Sequence, residues 1–450
     1  MKRCSILSLL LFLATVAVGL SLARAQTPNP SIELLKSPDA KIRAKAAQEL
    51  GKQGDTSAIP ALAAAVKDPS EKVRREVVVA LAQMHNPEAL DPLISATKDF
   101  DDDVRVLAVR SLAGYYTGTV PSSGFTGFMK KSWQRAKGHF TVDNTRIDPG
   151  LSVEPKVISA LDETLKNTSS ARASQEAAKA LGILVAQPAV PDLVKAAHSS
   201  DVDLACEALN ALAKIKQKSA GPQLVDLLDS PNKDIKRNAA VTLGVLRTGE
   251  ALAKLQAIFE GDPDLKDKQK ALEGLAYLGE QVSVPLFTKA LWNADKNLRT
   301  SAGEGLARAA DPKTLPELEK AVAAEKDASA KLAFEYAITA LGKDDYVSAL
   351  VSELGSKLRG DVAQPYLIEL ARNPQFLPKL YPYLQSPQAQ ARKRLCTVLM
   401  FSGDQSSLEQ LDRLSHDPDG DVAAEALRAK RAIRARLGAP PPPPGTTTGS

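Results

Sequence analysis

A short pattern returns through this chain at a fixed interval, and nothing else in the sequence restricts the fold as strongly. Leu50, Leu81 and Leu112 stand 31 residues apart; Leu181, Leu212 and Leu243 repeat that spacing, and Leu275 and Leu306 do so again. Each leucine has the same companions: Ile42-Arg43, Ala46-Ala47 and Gly51 in the first unit, Val73-Arg74 and Val77-Val78 in the second, Val104-Arg105 and Ala108-Val109 in the third. Steps of four, five and eight residues put these positions on one stripe of a helix. A second helix precedes each, opened by Pro60, Pro92, Pro191, Pro222, Pro285 or Pro316. Proline suits a first helical turn because its missing N–H would have had no partner there. The intervening turn carries Ser37-Pro38, Asp68-Pro69 or Ser230-Pro231, and Asp39, Asp103 and Asp234 stand where they cap or charge-stabilise the next helix. One such pair leaves an apolar face bare and is stable only when stacked on copies of itself. The expected fold is all-α, an α-solenoid.

The run from a proline-led helix through Asp/Ser-Pro to Val-Arg, Ala-Ala and Leu-Gly resembles the HEAT repeat, in the short bacterial form of the phycobiliprotein-lyase type. The resemblance covers residues 26–114 and 153–343, with irregular units over 344–437. It implies about eleven stacked two-helix repeats, on the order of 100 Å of surface if the helices lie about 8–10 Å apart. It further implies a non-catalytic scaffold that grips a protein or peptide on a concave face lined by the Val-Arg helices. The lyase members imply an alternative, a chaperone-like subunit for tetrapyrrole attachment, and a recognition domain for an envelope enzyme is a third reading. In the family the Arg after the Val, with an Asp in the preceding turn, ties neighbouring repeats together. Arg43, Arg74, Arg105 and Arg299 keep it, whereas Ser174, Ala205 and Lys236 replace it, which implies a looser middle.

Met1-Lys2-Arg3 gives a positive start, Ile6 to Leu22 is almost continuously apolar, and Ala23-Arg24-Ala25 supplies small residues where a signal peptidase reads. Residues 1–25 are expected to be a signal peptide cleaved after Ala25, leaving the protein periplasmic or extracellular. An uncleaved anchor is the weaker reading, because Ser8, Thr15, Gly19 and Ser21 interrupt a stretch already short for a bilayer. Loss of Lys2, Arg3 and Arg24 lowers the formal net charge from +5 to +2. A nearly neutral surface is poorly suited to neutralising many phosphates, so no nucleic-acid partner is expected. Cys206 and Cys396 fall in helical patterns many repeats apart and are read as small apolar residues rather than a disulfide, even in an oxidising compartment.

The repeat is interrupted once. From Leu112 to Leu181 is 69 residues, one repeat and a further 38. The insertion, residues 115–152, holds six of the twenty aromatics, Tyr115, Tyr116, Phe125, Phe128, Trp133 and Phe140, with Lys130, Lys131, Arg135 and Lys137 among them. Phe125 to Lys137 reads as a short amphipathic helix. The HEAT resemblance implies that the Val-Arg helices line the concave face with polar outward positions, as with Lys45, Gln48 and Glu49 in the first unit, whereas in the second and third the outward set includes Val79, Val106 and Leu107. Three readings stay open: the insertion folds back and plugs this apolar patch, the two together form a groove for a peptide or protein, or the basic aromatic helix docks on a membrane surface. The candidate partner-binding residues are Val79, Val106, Leu107, Tyr115, Tyr116, Phe125, Phe128 and Trp133.

Catalytic signatures are missing from the sequence. His85, His139, His198 and His416 are scattered, without a metal-spaced pair, a Cys-x-x-Cys or the His-Glu pairs of di-iron HEAT enzymes. Asp417, Asp419 and Asp421 have the spacing that starts a calcium loop but do not complete one, since Val422 and Arg428 stand where Gly and Glu are needed. There is no phosphate-binding Gly-rich loop or nucleophile elbow. No cofactor, metal or catalytic residue is expected. The last helix carries Arg428, Lys430, Arg431 and Arg434 as a polar cap, and residues 438–450, with Pro440 to Pro444, read as a disordered tail.

Overall fold

The computed structural model describes residues 29–120, 146–167 and 169–438; among these there are α-helices and 3-10 turns and no strand. The contacts divide the chain into two compact units, one through Ala96 and one from Thr97 on. The first holds α1 (Pro30–Leu34), α2 (Ala40–Gln53), α3 (Ile59–Ala65), α4 (Glu71–Met84) and α5 (Leu90–Ala96). The second opens with α6 (Asp102–Thr117) and resumes with α7 (Pro155–Lys166), α8 (Ala171–Ile183), α9 (Val190–Ala197) and α10 (Val202–Ile215). A 3-10 stretch, Lys218–Asp229, replaces the next short helix. There follow α11 (Lys233–Val245), α12 (Leu252–Gly261), α13 (Leu265–Leu278), α14 (Val284–Ala290), α15 (Lys296–Ala309), α16 (Leu315–Ala324) and α17 (Ala328–Ala340). The irregular end comprises α18 (Val347–Glu353), α19 (Gly360–Leu370), α20 (Leu377–Leu380), α21 (Ala389–Ser402), α22 (Gln405–Leu414) and α23 (Gly420–Arg436).

Short and long helices alternate, and the long ones stack in sequence: α2 on α4, α8 on α10, α11 on α13, α15 on α17 and α21 on α23. The Leu-Gly signature marks where these backbones meet. A Cβ on Gly182 would lie 2.6 Å from the Cα of Ala211, and one on Gly244 2.7 Å from the Cα of Gly274. Glycine is therefore needed there for close approach of the next helix. Side-chain caps begin most of the long helices, though not α4, α7 or α21. Asp39 accepts from the Lys41 N–H at 2.8 Å and caps its helix, whereas Asp103 and Asp234 lie in the first turn behind the caps Asp101 and Asn232, where they charge-stabilise it instead. Such an acid still interacts favourably with the positive helix end.

The arginine ladder reaches further than the family pattern implies, and its acid lies in the following turn. Arg43 holds both oxygens of Asp68, at 2.7 and 2.9 Å, and donates to the Ser37 carbonyl at 2.8 Å. Arg299 does the same with Glu325 and Asn293, and Arg392, in the irregular region, with Asp417 and Ser386. In the middle, other groups take over. The Ser174 hydroxyl donates to the Asn167 carbonyl at 2.8 Å, Lys236 pairs with Asp262 at 2.9 Å, and Arg237 with Asp264 at 3.1 Å.

The insertion does not break the stack. Helix α6 packs directly on α8, with Arg110 paired to Glu176 and Arg172 to Asp103 at 2.8 Å, and Lys98, ahead of α6, pairs with Glu163 of α7 at 2.8 Å.

Candidate functional site

Val79, Val106 and Leu107 are buried, with 4%, 1% and 4% of their surface exposed, so they offer no open apolar patch. The reason lies in the width of the buried stripe. In α4 every residue from Val77 to Leu81 is buried, and in α6 every residue from Val106 to Val109, so a position that faces outward in the first repeat does not do so here. Tyr115 and Tyr116 belong to the last turn of α6, ring to ring in a T-shaped pair 5.0 Å apart. The Tyr116 hydroxyl accepts the Glu154 N–H at 3.0 Å and so bridges the two ends of the insertion. Phe125, Phe128 and Trp133 lie outside the described residues, as do residues 1–25, expected to be a signal peptide, and the proline-rich tail.

The described end of the insertion makes contacts far along the chain. The Ile147 N–H donates to the Ile183 carbonyl at 3.0 Å, and Arg146 donates to the Lys214 carbonyl at 3.2 Å while its guanidinium sits 5.9 Å from the Phe401 ring centre. Asp148 then takes a two-pronged ion pair from Arg428 of α23, the Nε arm at 2.6 Å. Residues 146–153 thus run from the ends of α8 and α10 to α21 and α23. A cleft of about 470 Å³ lies along this segment, lined by Ile147, Val153, Ile158, Leu184 and Phe401 and by the charged Arg146 and Asp148.

Beside it is a polar cluster that the repeat pattern gave no sign of. Arg308, at the end of α15, has a buried side chain; it donates to Glu369 of α19 at 3.0 and 3.1 Å and stacks over Tyr277 at 4.6 Å. Burial alone would raise the Glu369 carboxyl, but Arg308 and a hydrogen bond from Tyr336 hold it below the usual carboxylate range. Tyr366 donates to Glu304 at 2.5 Å and stacks on Tyr336 with ring centres 4.4 Å apart. Burial pushes the Tyr277, Tyr336 and Tyr366 hydroxyls up, with the neighbouring glutamates adding to it.

Next to this satisfied core stand cations without such partners. Lys216, just past α10, has a left-handed backbone, φ 59°, and its side chain still reaches water. The surrounding protein, then Arg146 and Arg372, push its ammonium down to about 8, with Glu369 opposing. Burial and then Arg372 lower the Arg146 guanidinium in turn. Among the described residues neither Lys216 nor Arg372 has a carboxylate in ion-pair contact, and Arg146 bonds a neutral carbonyl.

The groups with catalytic potential are otherwise spent on structure. Cys206 and Cys396 are free thiols that burial pushes up to about 12, which makes them inert. His198 bonds Val194 and Asp226. Asp417 pairs with Arg392, and Asp419 caps α23, as a turn reading requires. No group of metal-ligating side chains occurs among the described residues, and none of the described helices is long and apolar enough to cross a membrane.

Stacked helical pairs, close helix contacts at Gly51, Gly182 and Gly244, and an arginine ladder define an α-solenoid of the HEAT type. A family model described as HEAT repeats matches residues 28–113, 190–269 and 252–339, more than half of the sequence, and the chain belongs to the HEAT-repeat family. No curated protein matches it. Solved structures it is similar to include an engineered protein, 20% identical over 90% of this chain and 98% of that one, TM-score 0.38. YibA of E. coli is 16% identical over 68% and 99%, TM-score 0.39. Human deoxyhypusine hydroxylase, solved with glycerol, is 22% identical over 55% and 83%, TM-score 0.27.

Proposed function

We propose that this chain is an exported, non-catalytic scaffold that holds a protein or peptide partner on the inner face of its second unit, beside the 115–150 insertion. HEAT repeats generally mediate protein–protein contact, which supports the class of function. The observation that carries the location is the set of three convergent cations, Arg146, Lys216 and Arg372, that no carboxylate neutralises in direct contact. Like charges held together cost free energy in the folded state, and a bound anionic group would relieve that cost. Export rests on the sequence of residues 1–25.

Two measurements test this. N-terminal sequencing of the protein from its native host should begin at Gln26; an intact Met1 would sink export. Mature protein and a variant lacking residues 121–145 should then be used to capture partners from envelope extract, with thermal melts on both. A stable partner held by the mature protein supports the scaffold. Capture of nothing above the background of a denatured control overturns it.

A further inference from the structure

The cleft along residues 146–153 shares Arg146 with a group of cations, and the two have complementary chemistry. The walls are mostly apolar, with Ile147, Val153, Ile158, Leu184 and Phe401; Asp148 also lines the cleft, but Arg428 holds both of its oxygens, and Arg146 belongs to both the cleft and the cationic group with Lys216 and Arg372. Glu369 is the carboxylate that acts on Lys216, and Arg308 already occupies both of its oxygens. The adjoining segment, residues 121–145, adds Lys130, Lys131, Arg135 and Lys137 against Asp143 alone, so its own charge does not suit it to neutralise this edge.

We propose that this surface binds an acidic–apolar peptide segment, one in which a carboxylate stands beside a large apolar side chain, the carboxylate meeting Arg146, Lys216 and Arg372 and the apolar group entering the cleft. The inference rests on the scaffold reading and names the chemistry of its partner. Arginine suits the role because its planar fork matches a carboxylate bidentately, and lysine adds a point charge. A basic or neutral peptide would leave the repulsion among the cations unrelieved and is discriminated against.

The test uses the mature full-length chain and a fluorescently labelled decapeptide alternating leucine and glutamate, followed by anisotropy. The same peptide with glutamine replacing glutamate should bind at least tenfold more weakly. Arg146→Gln and Lys216→Gln together should weaken the glutamate peptide about tenfold or more, with melting temperature recorded for each. Because Arg146 also bonds Lys214, Arg372→Gln serves as a second variant that removes no hydrogen bond of its side chain; it should weaken binding at least threefold. Equal affinity for both peptides, or no loss in Arg372→Gln and the double variant, overturns the proposal. So does binding to phosphatidylglycerol vesicles with none to the peptide, which would make the surface a membrane contact. If the envelope partner is captured equally by wild type and the folded double variant, this site fails while the scaffold reading stands.

Discussion

Arg392 lies where the repeat pattern is weakest to the eye, yet it makes the same three-way contact as Arg43 in the first repeat. The sequence carries no Val before it, so the Val-Arg pattern passes over it. What the position needs is a guanidinium within reach of the preceding turn's carbonyl and the following turn's acid, and the apolar neighbour is secondary. Arg392→Ala should lose about 2–3 kcal/mol in urea denaturation, since it strands a mostly buried carboxylate and a carbonyl. The hydrogen bond from Arg392 holds Asp417 below its ordinary value. That stabilisation is present above about pH 4 and is lost as pH falls through the folded-state value, so the variant should also show a shallower acid limb. Lys216 works the other way. Its ammonium is held down to about 8, so between about pH 8 and 10.4 the unfolded chain binds more protons than the folded one and stability rises with pH. Subtracting melting curves of Lys216→Met from wild type across that window isolates this term from the tyrosines. A difference that stays flat would show that the ammonium is unperturbed.

At the scale of elements, the period of 31 placed the long helices of the regular repeats but not those of residues 344–437, and Gly51, Gly182 and Gly244 are where successive backbones touch. Gly244→Val places a branched side chain against the Gly274 backbone, which cannot yield without shifting α13. We expect a loss of about 1–3 kcal/mol from overpacking in addition to the helix-propensity change, read by thermal or urea unfolding. Gly261→Ala, at the end of α12, where a Cβ meets nothing, serves as the tolerated control. The candidate site was less legible. Burial of Val79, Val106 and Leu107 depends on neighbours on several sides of a helix, whereas a single-helix projection knows only one apolar stripe. Arg308, Glu369 and Tyr366 come from α15 and α19, whose pairing has no signature of fixed spacing, and Lys216 and Arg146 meet only through the path of the insertion.

In a repeat array each unit ordinarily touches only its neighbours, so substitutions many repeats apart should add. The second unit departs from that rule at Asp148 and Arg428, 280 residues apart in sequence and joined by a two-pronged ion pair. Gly150 reinforces the link: its φ is 83°, and a Cβ there would meet the side chain of Ala435 in the same helix, α23. The C-terminal helix is thereby anchored from both α21 and the insertion, and its end should fray less than a terminal cap normally would. A double-mutant cycle reads the tie directly. Asp148→Ala and Arg428→Ala each also lose private contacts, such as Arg428 with Glu425 at 3.3 Å, but those cancel in the cycle. Arg428 is partly open to water, which screens the pair, so the expected coupling is about 1 kcal/mol rather than the larger value of a buried bridge. Amide exchange across residues 420–436 should quicken in either single variant and no further in the double. Strict additivity, with exchange in α23 unchanged, would mean that the helix is held by its repeat neighbours alone and that the 146–153 segment merely lies beside it.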